Sequence, residues 1–139
     1  MLSKSAVIAE LSKQLSVKLH YLNTTLQETV DSRNSDTKSS AGDKFETSRE
    51  MAQIEISKIE KEIIKIQQFI TDLTSKASQL IITDKRAFLI SIPFGKIMVS
   101  GTEVFCISNS APITKQLVYT KVSEGFEYRG VAYNILDIT

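Results

Sequence analysis

Few residues in this chain have a type and spacing that could do chemistry. It carries one histidine, His20, and one cysteine, Cys106. A zinc site needs several nitrogen and sulfur ligands, and a Cys–His nucleophile needs both partners at hand, so neither has enough to work with. A lone cysteine also excludes an internal disulfide. No G-x-G-x-x-G, P-loop or G-x-S-x-G pattern is present. The acids that stand out are Asp36, Asp43 and Glu46, in or beside the small polar stretch from Asn34 to Gly42. Asp43 with Glu46 three residues on reads first as a capping box, the acid side chains satisfying free N–H groups at a helix start. Asp36 reads first as a solvated turn residue. Lys38, Lys44 and Arg49 add positive charge to the same segment, and Ser39 and Ser40 are turn formers.

That stretch separates two long amphipathic segments. In residues 2 to about 32, Ile8, Leu11, Leu15, Leu19, Leu22, Leu26 and Val30 recur at close to the helical repeat, so one face is apolar throughout. His20 and Tyr21 lie off that stripe. From Asp43 to Ala77, Ile56, Ile59, Ile63, Ile66, Ile70, Leu73 and Ala77 alternate steps of three and four, a heptad seam with no Pro or Gly inside it. At about 1.5 Å per residue such a helix is roughly 50 Å long. Two such helices joined by a polar loop predict an antiparallel hairpin, each supplying the apolar stripe that the other lacks in water.

Beyond residue 78 the composition changes. Short runs rich in β-branched and aromatic residues alternate with turn signals: Asp84-Lys85, Pro93-Phe94-Gly95, Ser100-Gly101, Asn109-Ser110 and Arg129-Gly130. Ile113–Val118 reads as a short helix or an irregular turn. Phe88, Phe94, Phe105, Phe126, Tyr128 and Tyr133 read as the core of this half, and Cys106, inside an apolar run, as a small buried hydrophobe. The expected fold is α+β, with a helical hairpin over 1–78 (loop end at about 34–46) and a small, mostly antiparallel β domain over 79–139. A β domain of that size is marginal alone, so it is expected to pack on the base of the hairpin.

The balance of 17 basic against 16 acidic residues argues against a polyanion binder that works by bulk charge. No apolar run approaches the ~20 residues needed to span a bilayer. The N-terminal segment carries charge inside its apolar run and reads as a helix, not a secretion signal. The expectation is a cytoplasmic monomer with no membrane partner and no cofactor of its own.

The order of these elements, and the C-terminal pattern above all, resembles the bacterial Gre-type transcript cleavage factors. Ile107-Ser108, the run Ala111–Leu117 and Lys121-Val122-Ser123-Glu124 look like that family's strand, Ser-Pro-Leu-Gly, Leu and Lys-x-x-Gly-Asp succession. Tyr133–Ile138 looks like its closing Tyr-x-Ile-x-x-Ile. Lys44-Phe45-Glu46 with Arg49-Glu50 looks like the start of its second helix, and Ser39–Thr47 is similar to a Gre-like subgroup of Bacteroidetes. The resemblance implies an FKBP-like C-terminal domain that docks on RNA polymerase core at the rim of its secondary channel, with Ser110, Pro112 and Ile113 in the docking segment. It implies a coiled coil that passes down the channel, whose end acids help hold a Mg²⁺ shared with the polymerase for hydrolysis of backtracked RNA. RNA and DNA would be met only through the elongation complex.

At the loop end this chain departs from the family. Aligned back from Phe45, the family's Asp and Glu positions fall on Lys38 and Ala41, which cannot ligate Mg²⁺; Asp36 and Asp43 are the nearby acids, candidate Mg²⁺ ligands in the complex if the loop shifts to bring them in. Two family glycines are replaced by Thr114 and Ser123. The residues expected to act in the polymerase site are therefore Asp36, Lys38, Asp43 and Glu46, with modulation or occlusion of the channel favoured over strong cleavage. Two rivals stand beside this reading. One is a coiled-coil adaptor with no polymerase role, for which the off-seam Val17, Ile54 and Ile64 supply a second apolar stripe. The other is a prolyl isomerase using an aromatic pocket in the β half, although fold alone does not confer that activity.

Overall fold

The computed structural model describes residues 2–35 and 42–139. Its elements run α1 (Lys4–Ser35), α2 (Gly42–Ser75), β1 (Gln79–Thr83), β2 (Ala87–Ile90), β3 (Gly95–Val99), β4 (Thr102–Ile107), α3 (Pro112–Tyr119), β5 (Gly125–Tyr128) and β6 (Val131–Ile138). The fold is α+β, a long helical pair followed by a six-stranded sheet. Packing divides the chain into two units, Met1–Lys13 with Thr71–Thr139, and Gln14–Ile70.

The Gln14–Ile70 unit is the helical pair. Leu15 and Leu22 of α1 are buried, as are Ile56, Ile59, Ile63 and Ile66 of α2, so the heptad positions form its seam. Arg33, near the end of α1, donates from Nη1 to Gln53 Oε1 near the start of α2 at 2.8 Å. That bond joins the end of one helix to the first turns of the next, as an antiparallel pair requires. The helix α2 opens at Gly42, one residue ahead of the Asp43 expected to cap it, and closes at Ser75. Ala77, expected as the last seam position, is instead exposed in the link to β1.

The other unit is built on a sheet of order β3-β4-β2-β1-β6-β5. Four pairings are antiparallel, as the hairpin signals predict, but β2 and β4 run parallel, with Phe88 opposite Phe105 and Ile90 opposite Ile107. The parallel pair arises because the β3–β4 hairpin turns back so that β4, not β3, lies against β2. Both two-residue hairpin turns have positive φ at each residue: Ser100 at 51° and Gly101 at 78°, Arg129 at 50° and Gly130 at 79°. This is the type I′ geometry, whose twist matches that of the flanking strands.

Alternation sends Leu80, Ala87, Leu89, Val104 and Cys106 to one face of the sheet, all buried. Residues 4–13 of α1 and 71–75 of α2 belong to this unit, and their Val7, Leu11 and Leu73 are buried too. Val7 is fully buried and Ile8 only partly, a shift of one position from the expected stripe. Lys4 Nζ donates to Ser78 O at 3.2 Å, tying the start of α1 to the link before β1. The Thr74 and Ser75 hydroxyls both donate to Thr71 O, at 3.0 and 2.7 Å, competing with the backbone where α2 stops. Burial pushes the Cys106 thiol up to about 12, which leaves it an inert packing group.

The β1–β6 ladder shifts register between Ile82 and Thr83. Next to that bulge the Asp84 carboxylate accepts the Asn134 backbone N–H at 2.8 Å and its side-chain N–H at 3.3 Å, while Asp84 N–H donates to Asn134 O at 3.0 Å. Chiefly through the Asn134 N–H, with Lys85 helping, the Asp84 carboxyl is held below its ordinary value of 3.8. A carboxyl acidified by folding stabilises the fold above its unfolded pKa, and this support is lost as pH falls through the folded value. Asp84→Asn should therefore lower the melting temperature at pH 7 and do so by less near pH 2. An equal drop at both pH values would show that the charge contributes nothing there. No helix among the described residues is long and apolar enough to cross a membrane.

Candidate functional site

Of the loop-end residues, Asp36 and Lys38 lie outside the described residues. Asp43 and Glu46 fall in the first turns of α2 by their backbone. Among the described residues of the helical pair, Arg33 of α1 and Arg49, Glu50 and Gln53 of α2 line a surface hollow of about 340 Å³. No group of three or more His, Cys, Asp or Glu able to hold a metal occurs among the described residues.

The sheet unit carries a second candidate. On the face opposite Leu89 and Cys106, Ile81, Phe88, Ile90, Tyr133 and Ile135 form a buried cluster closed by Leu117 of α3. Five of the six aromatics expected in the core meet here; Phe94, in the loop before β3, does not join the cluster. The rings interlock, Phe88 lying edge-on to Tyr133 at 5.7 Å and tilted to Phe105 at 6.1 Å, and Phe126 stacking on Tyr133 at 5.2 Å. The helix α3 covers only part of this face. The remainder is a cleft of about 350 Å³, floored by Phe88, Phe105 and Tyr133 and walled by Ile113 of α3 and by Tyr128 and Val131 of the β5–β6 hairpin.

Two cations complete the cleft. The Arg86 guanidinium lies 4.6 Å from the centre of the Phe105 ring and that of Arg129 5.2 Å from Tyr128, each over an aromatic face. Arg86 Nε is buried with no hydrogen-bond partner. Neither arginine is ion-paired among the described residues, and no acid lines the cleft.

The expected docking residues sit where β4 leads into α3. Ser110 and Pro112 are exposed, Pro112 in the first turn of α3, where its missing N–H costs nothing. Ile113 is half-buried and lines the cleft, so of the three it alone joins the aromatic residues. Thr114 is 3% exposed, and its hydroxyl donates to Ser108 O at 2.7 Å, fastening α3 to the end of β4.

Between α3 and β5, Glu124 N–H donates to Lys121 O at 3.0 Å, and Ser123 has φ 73°. A four-residue turn with positive φ at its third residue favours glycine there. A side chain held in that region costs about 1–2 kcal/mol, part of which glycine returns through its freer unfolded chain. Ser123→Gly should thus raise stability by about 0.5–1 kcal/mol, read as a higher urea midpoint at unchanged slope. A lower midpoint would mean that the serine side chain holds the turn.

No family model matches this chain, and comparison with curated proteins and with solved structures gives no match.

The cleft was only partly legible in the sequence. Its aromatic floor follows from alternation along the strands. Arg86 falls in step with Phe88 and Ile90, and that spacing of two is a signal that could have placed it on the same face. Arg129 offered no such signal, because it reads as half of a turn dipeptide.

Proposed function

We propose that this chain is a Gre-type factor that binds RNA polymerase core, its sheet unit docking at the rim of the secondary channel and its helical pair entering with residues 34–46 leading. The observation that carries the reading is the order of elements: an antiparallel helical pair, then a sheet with one short helix, α3, on its aromatic face. Ser123 supports it independently, since the residue standing at a family glycine has the left-handed backbone that glycine serves best. Lys38 and Ala41, at the family's acid positions, offer no anionic oxygen and do not fit a Mg²⁺ ligand pair. No catalytic step is therefore routed through the metal, and the proposed action is occupation of the channel and modulation of elongation.

The test is retention of core RNA polymerase on the purified chain, followed by assay of backtracked complexes. Retention with little transcript cleavage, unchanged in Asp36→Ala and Asp43→Ala, is expected. Cleavage lost in those variants would move the action to the acids, and no retention would discard the polymerase role.

A second reading has its own observation. Within the helical pair Val17, Tyr21, Met51, Ile54 and Ile64 are each more than half exposed, which suits pairing with another coiled coil. Light scattering that gives a dimer, abolished by Ile54→Lys and Ile64→Lys, would favour the adaptor.

A further inference from the structure

The cleft on the sheet unit combines features that no single structural role explains. Its floor and walls are aromatic and aliphatic, and about 350 Å³ falls within the range of roughly 300–1,000 Å³ typical of ligand sites. Apolar surface of this kind left open on a sheet otherwise closed by α3 gains free energy when another apolar group fills it. The two charged groups that line the cleft are both arginines, the Arg86 guanidinium lying over the Phe105 ring and that of Arg129 over Tyr128. A guanidinium held over a ring still has terminal N–H donors to give, and these can grip a carboxylate with two parallel bonds.

From this charge complementarity we infer that the cleft is a docking site for an acidic segment of a partner protein, which places a large apolar side chain on Phe88, Phe105 and Tyr133 and pairs its flanking carboxylates with Arg86 and Arg129. A nucleic acid fits less well. Its affinity would come from many phosphate contacts along a basic track, whereas this chain has a net charge of only +1 and the cleft holds two cations. Arginine and tyrosine around an aromatic pocket are also the residue types that carry most of the energy at protein interfaces. The inference rests on the sheet unit alone. It would supply the grip assigned to that unit above, yet its test contains no polymerase, so the two can fail separately.

The experiment uses the full chain and the peptide fluorescein-Gly-Glu-Glu-Phe-Glu-Glu-amide, labelled on its N-terminal amine, followed by fluorescence anisotropy. Saturable binding below about 1 mM is expected, with a loss of about ten-fold or more for the peptide in which glutamine replaces each glutamate. Arg86→Gln should weaken binding to a similar extent. Arg129→Glu, a reversal at an exposed turn residue that leaves the core untouched, should abolish it. Proton NMR should show shifts on addition of peptide at the rings of Phe105, Tyr128 and Tyr133 while the melting temperature of each variant stays near that of the parent. No saturable binding, equal binding of the glutamine peptide, or indifference to Arg129→Glu would overturn the inference. So would displacement of the peptide by oligouridylate at equal or lower concentration, which would assign the cleft to nucleic acid.

Discussion

Phe88→Ala is expected to remove about 3–5 kcal/mol of folding stability, the usual cost of deleting a buried aromatic ring. Phe88 is 3% exposed at the centre of the sheet, its ring between those of Phe105 and Tyr133. The deletion forfeits the transfer free energy of the ring, leaves a cavity that strands on both sides hold open, and breaks two aromatic contacts worth about 0.5–1.5 kcal/mol each. Against a total of roughly 5–15 kcal/mol for a natural domain, much of the sheet unit's stability rests on this side chain. Urea unfolding followed by near-ultraviolet circular dichroism reads the result, with a lower midpoint at unchanged slope. Phe105→Ala should cost clearly less, because Phe105 is partly exposed in the cleft and its loss can be filled by water. Equal costs at the two positions would show that the face is not packed as described.

The second large effect lies in the helical pair. Ile66 is 1% exposed in the seam, whereas Ile64, two residues away, is 64% exposed. Ile66→Asp buries a carboxylate in this apolar seam, and an uncompensated buried charge costs about 3–5 kcal/mol. Ile64→Asp places the same group in water and should change stability by no more than about 0.5 kcal/mol. Hydrogen exchange adds where the loss falls. Because residues 14–70 pack as a unit of their own, their amides should lose protection in Ile66→Asp while β1, β2, β4 and β6 keep theirs. Uniform loss along the chain would mean that the two units unfold as one, and a tolerated Ile66→Asp would remove the seam.

The sequence legibly specified the parts of this protein that are decided within about ten residues. The steps of three and four from Ile56 to Leu73 specify a helix with one buried stripe, and Ser100-Gly101 and Arg129-Gly130 specify tight hairpins, because side-chain period and positive φ are local properties. Even the inert Cys106 could be read from the apolar run that holds it.

Which strands meet was decided only by the tertiary structure. The parallel match of Phe88 with Phe105, the burial of Val7 ahead of Ile8, the absence of Phe94 from the aromatic cluster, and the meeting of Arg86 with Arg129 around one cleft all join residues far apart in the chain. No period or turn dipeptide encodes such pairings. They follow from the competition among strands of similar composition for the same buried face, which is settled only when the whole sheet closes.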